Sequence, residues 1–160
     1  MSQTSQLPSV SEFMNGHLAD VFETMLAMKA VRVTGAAIPE FAGRVTGSVG
    51  FAGDDVTGAV YLHLSADFAK KVAATMLGIS TEEISDENEV NDVVGEATNM
   101  VTGGLKSWLC DAGAACAMST PAIIRGTSFA IEPMPGVERE WLVFDCDHNL
   151  IAVEIHIKLN

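Results

Sequence analysis

Read from the amino end, the apolar residues fall first into a helical rhythm. In SVSEFMNGHLADVFETMLAMKA, residues 9–30, Val10, Met14, Leu18, Val21, Phe22 and Met25 form one stripe. Ser9 and Glu12 have capping-box spacing, so a long first helix is predicted. VRVTG is a short strand, with Pro39 in the loop that follows. RVTGSVGFAGDDVTGAVYLHLS, residues 44–65, has the β-rich composition of a hairpin whose turn is Gly53, Asp54 and Asp55. SADFAKKVAATMLG returns to helical spacing, with Ser65 or Asp67 near its start and Gly78 as C-cap. An acidic stretch, STEEISDENEV, leads into a second long helix over residues 86–110. A small-residue strand, AACAMS, precedes Pro121. The rest is β-rich: GTSFAIE, a PMPG turn, EWLVFDCD, a turn at His148–Asn149, and LIAVEIHIKL. In that last strand Ile151, Val153, Ile155, Ile157 and Leu159 point one way, and Glu154, His156 and Lys158 the other.

The order contains a pseudo-repeat. A long helix, a short strand, a proline and a hairpin occur twice, with the shorter helix between the two halves. Burying both helical stripes requires helices layered on a largely antiparallel sheet. The predicted fold class is therefore α/β, with α+β-like layers and two pseudo-symmetric halves.

The second long helix is unusual. DVVGEATNMVTGG, residues 92–104, holds Gly95, Gly103 and Gly104, and each mid-helix glycine costs about 1 kcal/mol relative to alanine. At 100° per residue, Val90, Val93, Val94, Ala97, Met100, Val101, Leu105 and Trp108 share the side facing the core. Asp92, Glu96, Asn99 and Gly103 share the opposite strip, bordered by Gly95 and Lys106. A solvated polar face is one reading of the strip. The other is a face made for insertion. Asparagine is a mediocre helix former, and glycine at 103 lets another surface approach the helix backbone. Glu96 and Asn99, three residues apart, then reach into one pocket. No Ser, Cys or His shares the strip within a turn of Asn99, so it offers no nucleophile. An amide is no strong base, but it holds a water by donating and accepting hydrogen bonds. A carboxylate beside it pairs with a partner's lysine. That division of labour suits phosphoryl hydrolysis, where positioning the attacking water is much of the protein's task.

Composition narrows the field. The chain has 160 residues, with 9 Lys and Arg against 21 Asp and Glu, a formal charge of −12. That balance disfavours nucleic acid and anionic membranes as partners. It serves solubility, or a partner that presents cations. Cys110, Cys116 and Cys146 form no Cys-x-x-Cys pair and are read as buried small hydrophobes. MSQTSQLPSVSEF has neither the basic nor the apolar region of a signal peptide, and no run is long enough to span a bilayer. A reduced, cytoplasmic protein is expected, with residues 1–8 flexible and a single domain over 9–160. His17, His63, His148 and His156 lie on separate elements without metal-ligand spacing. The glycines near residue 50 lack the Gly-Lys-Ser/Thr of a phosphate loop, and Asp54 and Asp55 lack the rest of a calcium loop. No metal site and no bound cofactor is predicted.

Asp92, three residues, Glu96, two residues, Asn99 and then Pro121 resemble the motif of the CheC/CheX/FliY phosphatases of bacterial chemotaxis, and the chain resembles a CheX-type member. Pro121 follows Asn99 after 21 intervening residues, one short of the family's usual spacing. The resemblance covers nearly the whole chain after residue 8. It implies a CheC-like fold, a homodimer joined edge to edge, and a phosphorylated CheY-like response regulator as substrate. Asn99 would orient the attacking water and Glu96 would pair with the regulator's lysine. Asp92, Gly95, Gly103 and Pro121 would form the docking surface, and the regulator would supply Mg2+. Glu12 and Asn15 repeat the Glu–Asn spacing as a possible degenerate second copy, but Pro8 stands where Asp or Ser is required, and Glu12 fits the capping box. The alternative function is a CheC-like adaptor that docks a signalling partner without hydrolysis, which the proline offset leaves open.

Overall fold

A computed structural model describes residues 9–160; the expected flexible segment 1–8, including Pro8, lies outside them. Helix α1 spans Val10–Leu26, followed by strands β1 (Ala30–Val33), β2 (Arg44–Ala52) and β3 (Val56–Ser65). Helix α2 (Ala66–Leu77) and a 3-10 turn (Thr81–Glu83) lead to α3 (Glu87–Asp111). Strands β4 (Ala117–Met118), β5 (Ala122–Gly126), β6 (Glu138–Cys146) and β7 (Asn149–Leu159) complete the chain. The helix ends follow local chemistry. Ser9, Ser65 and Asp86 accept from backbone N–H groups in the first turns of α1, α2 and α3. Gly78 ends α2 at φ 69°, where a residue without Cβ is least strained.

The sheet order is β1-β6-β7-β3-β2, with β4 and β5 both pairing along the free edge of β2, and every pairing is antiparallel. The pseudo-repeat is visible in that order. The short strand of the first half pairs with the second half's hairpin, and the short strands of the second half pair with the first half's hairpin. β3 and β7 meet in the middle. The three helices cover one face. There Met14, Leu18 and Phe22 of α1, Phe68 and Val72 of α2, and Val94, Val101 and Leu105 of α3 close on Leu62, Phe144, Ile151 and Val153. Each fully buried side chain of this size contributes about 1.5–3 kcal/mol.

Four local expectations need correction. GTSFAIE is not a strand: the pairing with β2 falls on Ala122–Gly126, and Phe129 and Ile131 lie in the connection to β6. Because β5 and β6 lie on opposite sides of the central β3–β7 pair, that connection must travel across the sheet. Arg44 and Arg139 hold it there by donating to the carbonyls of Phe129 (2.9 Å) and Ile131 (3.3 Å). AACAMS keeps only a two-residue pairing, Ala117–Met118. The last turn is centred on Asp147 and His148, both at positive φ, rather than on His148–Asn149. Two successive residues with φ > 0 match the twist of a two-residue hairpin.

The last correction concerns β7, whose polar side is also buried. Glu154 is 1% exposed, and His63, His156 and Thr46 are buried around it. His63 Nε2–H donates to Glu154 Oε1 (3.0 Å), His156 Nε2–H to Oε2 (2.5 Å), and the Thr46 hydroxyl donates to His63 Nδ1 (2.7 Å). Trp141 stacks on His63, and Arg139 lies 3.9 Å from the carboxylate. Such a buried carboxylate is tolerable only because its oxygens are satisfied.

Candidate functional site

Helix α3 is fixed on three sides, which decides the side it leaves open. Beneath it, Thr98 sits on Gly47 of β2, so closely that a Cβ at Gly47 would overlap the threonine hydroxyl. The buried Thr98 and Thr102 hydroxyls donate back to the carbonyls of Val94 (2.7 Å) and Thr98 (2.8 Å), so neither is an unpaired polar group. On one flank, the His17 ring of α1 occupies the space a Cβ at Gly104 would fill, and His17 Nε2–H donates to the Met100 carbonyl at 3.2 Å. Phe13 stacks between His17 and Trp108 on the same flank. Gly104 therefore has a packing reason for its helix penalty. On the other flank, Pro121 and Ile123 lie over Gly95: a Cβ there would come 3.5 Å from Pro121 Cβ.

What remains outward is the strip drawn from the sequence. Asp92 and Glu96 are exposed, and Asn99 and Gly103 are half-buried. Among the described residues, no atom beyond the local turn of its own helix lies within 4 Å of the position a Gly103 Cβ would take, so no packing contact among them explains this glycine. Among the described residues, Asp92, Glu96 and Asn99 make no side-chain hydrogen bond or ion pair, although their helical neighbours Thr98 and Asn91 do. A groove of about 310 Å³ runs beside Asp92 and Glu96, lined by Asn91, Asp92, Gly95, Glu96, Pro121 and Ile123, and Asn99 stands one turn beyond it. Gly95 is buried rather than at an exposed border, because Pro121 covers it, yet it still floors the groove. Pro121 is thus brought against the helix despite its offset in sequence.

Sequence periodicity misplaces a few positions. Thr98, Thr102 and Leu109 belong to the buried side of α3, while Met100 and Trp108 are only half-buried. It also misses Asn91 and Arg125, joined across the groove's end by two hydrogen bonds. Glu12 and Asn15 are both exposed on α1, where the backbone N–H of Glu12 donates to Ser9 Oγ. Among the described residues no three His, Cys, Asp or Glu side chains are grouped to hold a metal ion. Chemically, the strip offers a free amide and free carboxylates on a rigid helix, with room for another surface above them.

The family model described as chemotaxis phosphatase CheX matches residues 45–145, which include α3, the strip and Pro121. The chain belongs to the CheX family. Its CheC-like fold recurs in solved structures. The chemotaxis protein CheX from Vibrio vulnificus is 25% identical, with 99% of each chain covered and a TM-score of 0.80. A CheC-like superfamily protein from Shewanella sp. PV-4 is 27% identical, with 94% of this chain and 99% of that chain covered and a TM-score of 0.78. CheX of Borrelia burgdorferi, in a complex with CheY, BeF3 and Mg2+, is 23% identical over 94% of this chain and 98% of that one, with a TM-score of 0.74. At that identity the likeness is one of fold. No curated protein sequence matches the chain. CheX membership assigns a chemotaxis phosphatase role in general terms.

Proposed function

We propose that this CheX-family protein hydrolyses the aspartyl phosphate of a CheY-like response regulator and so ends a chemotaxis signal. The observation that carries the reading is the pair Glu96 and Asn99, one turn apart on α3, unpaired among the described residues and beside the open backbone of Gly103. The substrate is an acyl phosphate and is already activated. Water attacks phosphorus in line, a new P–O bond forms, and the bond to the carboxylate oxygen breaks. The products are the free aspartate carboxylate and inorganic phosphate, with the water proton passing to phosphate and solvent.

Each residue then has a physical task. The Asn99 amide donates to and accepts from the attacking water, fixing its direction at the phosphorus. Glu96 pairs with the regulator's lysine and docks the helix. Asp92 adds negative charge one turn earlier, and Gly95 and Pro121 form the floor and wall of the groove beside it. Mg2+ belongs to the regulator and neutralises charge on the phosphoryl group there. The protein works in the cytoplasm, where response regulators are phosphorylated; among the described residues no helix is long and apolar enough to cross a membrane. It acts as a homodimer joined at a sheet edge; β1 is an outer strand, and its Val31 is half exposed.

The test is dephosphorylation of a phosphorylated CheY-like regulator from the same genome, with Mg2+ present. Wild type accelerates the decay, whereas Asn99→Ala binds without accelerating it. Binding by wild type without acceleration, across the genome's regulators, would overturn the reading in favour of an adaptor.

A further inference from the structure

Asn91 and Arg125 tie together the two sides of the groove. Asn91 stands on α3 one residue before Asp92, and Arg125 stands on β5 four residues after Pro121. Arg125 Nε and Nη2 both donate to Asn91 Oδ1, at 3.0 and 2.7 Å, and Nη1 lies 3.8 Å from the exposed Glu87 carboxylate. The wall that carries Pro121 and Ile123 needs such a tie. Among the described residues, β5 pairs only with β2, and no strand flanks its other edge. Its position relative to α3 therefore rests on the β2 ladder below, the packing of Pro121 and Ile123 over Gly95 and the core, and the guanidinium. A planar guanidinium giving two N–H bonds fixes direction as well as distance, which a lysine does not. The partner is a neutral amide, although Asp92 is adjacent in sequence, so the pairing is chosen by geometry rather than by charge.

We propose that Asn91 and Arg125 form a positioning clamp that sets the width of the groove between α3 and the Pro121–Ile123 wall, and thereby how tightly a phosphorylated response regulator seats over Glu96 and Asn99. The inference rests on the phosphatase reading above. The clamp acts on docking rather than on the water. Asn91 precedes Asn99 by eight residues, about 12 Å along the helix axis.

The experiment compares wild type with Arg125→Ala, Asn91→Ala, Arg125→Lys and the double alanine variant. A CheY-like regulator from the same genome, phosphorylated by acetyl phosphate with Mg2+, gives kcat and KM. The same regulator activated with beryllofluoride gives Kd. Each alanine variant is expected to raise KM and Kd about five- to tenfold, the scale of one ordinary hydrogen bond because the pair is exposed to solvent, with kcat within about twofold of wild type. The double variant is no worse than either single one, because the two residues act as a unit. Arg125→Lys stays close to Arg125→Ala. Full rescue by lysine would assign the effect to charge alone and overturn the clamp. Unchanged KM and Kd in Arg125→Ala would overturn it, as would a fall in kcat at constant KM. A wild type that binds without hydrolysing would overturn the phosphatase reading, and the Kd series would still decide the clamp. A wild type that neither binds nor hydrolyses would overturn both.

Discussion

Thr98 and Gly47 meet across the interface between α3 and the sheet with no room for one more carbon. A Cβ on Gly47 would overlap Thr98 Oγ1, come 2.9 Å from Thr98 Cβ and lie 3.2 Å from the Val94 carbonyl. Because Asn99 is the next residue, this contact sets the rotation of the helix that presents it. Gly47→Ala must lift or turn α3, since Thr98 Cβ, which moves only with the helix, is in the way and the Val94 carbonyl is close behind it. It is expected to lower stability by about 1–3 kcal/mol, the usual cost of overpacking. Dephosphorylation should fall further than that loss explains. Chemical denaturation alongside the phosphatase assay at a temperature where the variant is folded separates the two effects.

Gly103 gives the opposite expectation. Its missing side chain faces open space among the described residues, so Gly103→Ala meets none of them and gains up to about 1 kcal/mol of helix propensity. If the strip is a docking face, the added methyl stands where the regulator must approach. The variant should therefore melt at or above the wild-type temperature and bind the beryllofluoride-activated regulator more weakly. Unchanged binding would make the strip an ordinary solvated face.

Acid should destabilise the fold through the cluster beneath the β5–β6 connection. Burial pushes the His63 pKa below its ordinary value of 6.5, against the opposing pull of Glu154. The unfolded chain therefore binds a proton that the folded chain refuses. Stability is present above about pH 6.5 and declines as pH falls toward the folded value, at most about 1.4 kcal/mol per pH unit for one proton. Glu154 adds to the same trend at lower pH. Burial alone would raise its pKa, but hydrogen bonds and charge from His63 and His156 leave it below its ordinary 4.5, so its contribution is lost as pH falls through the folded value. Urea unfolding between pH 8 and pH 5 tests the first part. His63→Gln, which has no proton to take up, should flatten the slope between about pH 6.5 and pH 5.

The cysteines should react in order of access. Cys110 is exposed, Cys116 half-buried and Cys146 fully buried, with its thiol pushed up to about 11 chiefly by burial. A thiol reagent at pH 8 should label Cys110 first and Cys146 only on unfolding, as mass spectrometry of the native protein would reveal.

Much of this was legible in the residues because it is periodic. A helical period of 3.6 places Asp92, Glu96, Asn99 and Gly103 on one strip whatever the tertiary fold, and the caps at Ser9, Ser65 and Gly78 are local chemistry. What periodicity misses depends on distant partners. Asn91 and Arg125 are 34 positions apart, and nothing in either neighbourhood marks the other. Gly104 has no visible purpose until His17 is brought over it. Glu154 and His156 alternate with isoleucines, as on a solvated face, but the chain from Gly126 to Glu138 must cross that face to reach β6. The same crossing is why GTSFAIE, strand-like in composition, joins no strand ladder after Gly126.

The most direct measurement is the decay rate of a phosphorylated CheY-like regulator from the same genome, with Mg2+, in the presence of wild type, Asn99→Ala or Glu96→Ala. Wild type should accelerate the decay. Asn99→Ala should lose on the order of 10²-fold or more of that acceleration, as expected for deleting one well-placed group, while still binding the beryllofluoride-activated regulator. Glu96→Ala should lose binding as well as rate. Acceleration by Asn99→Ala equal to that of wild type would contradict the account.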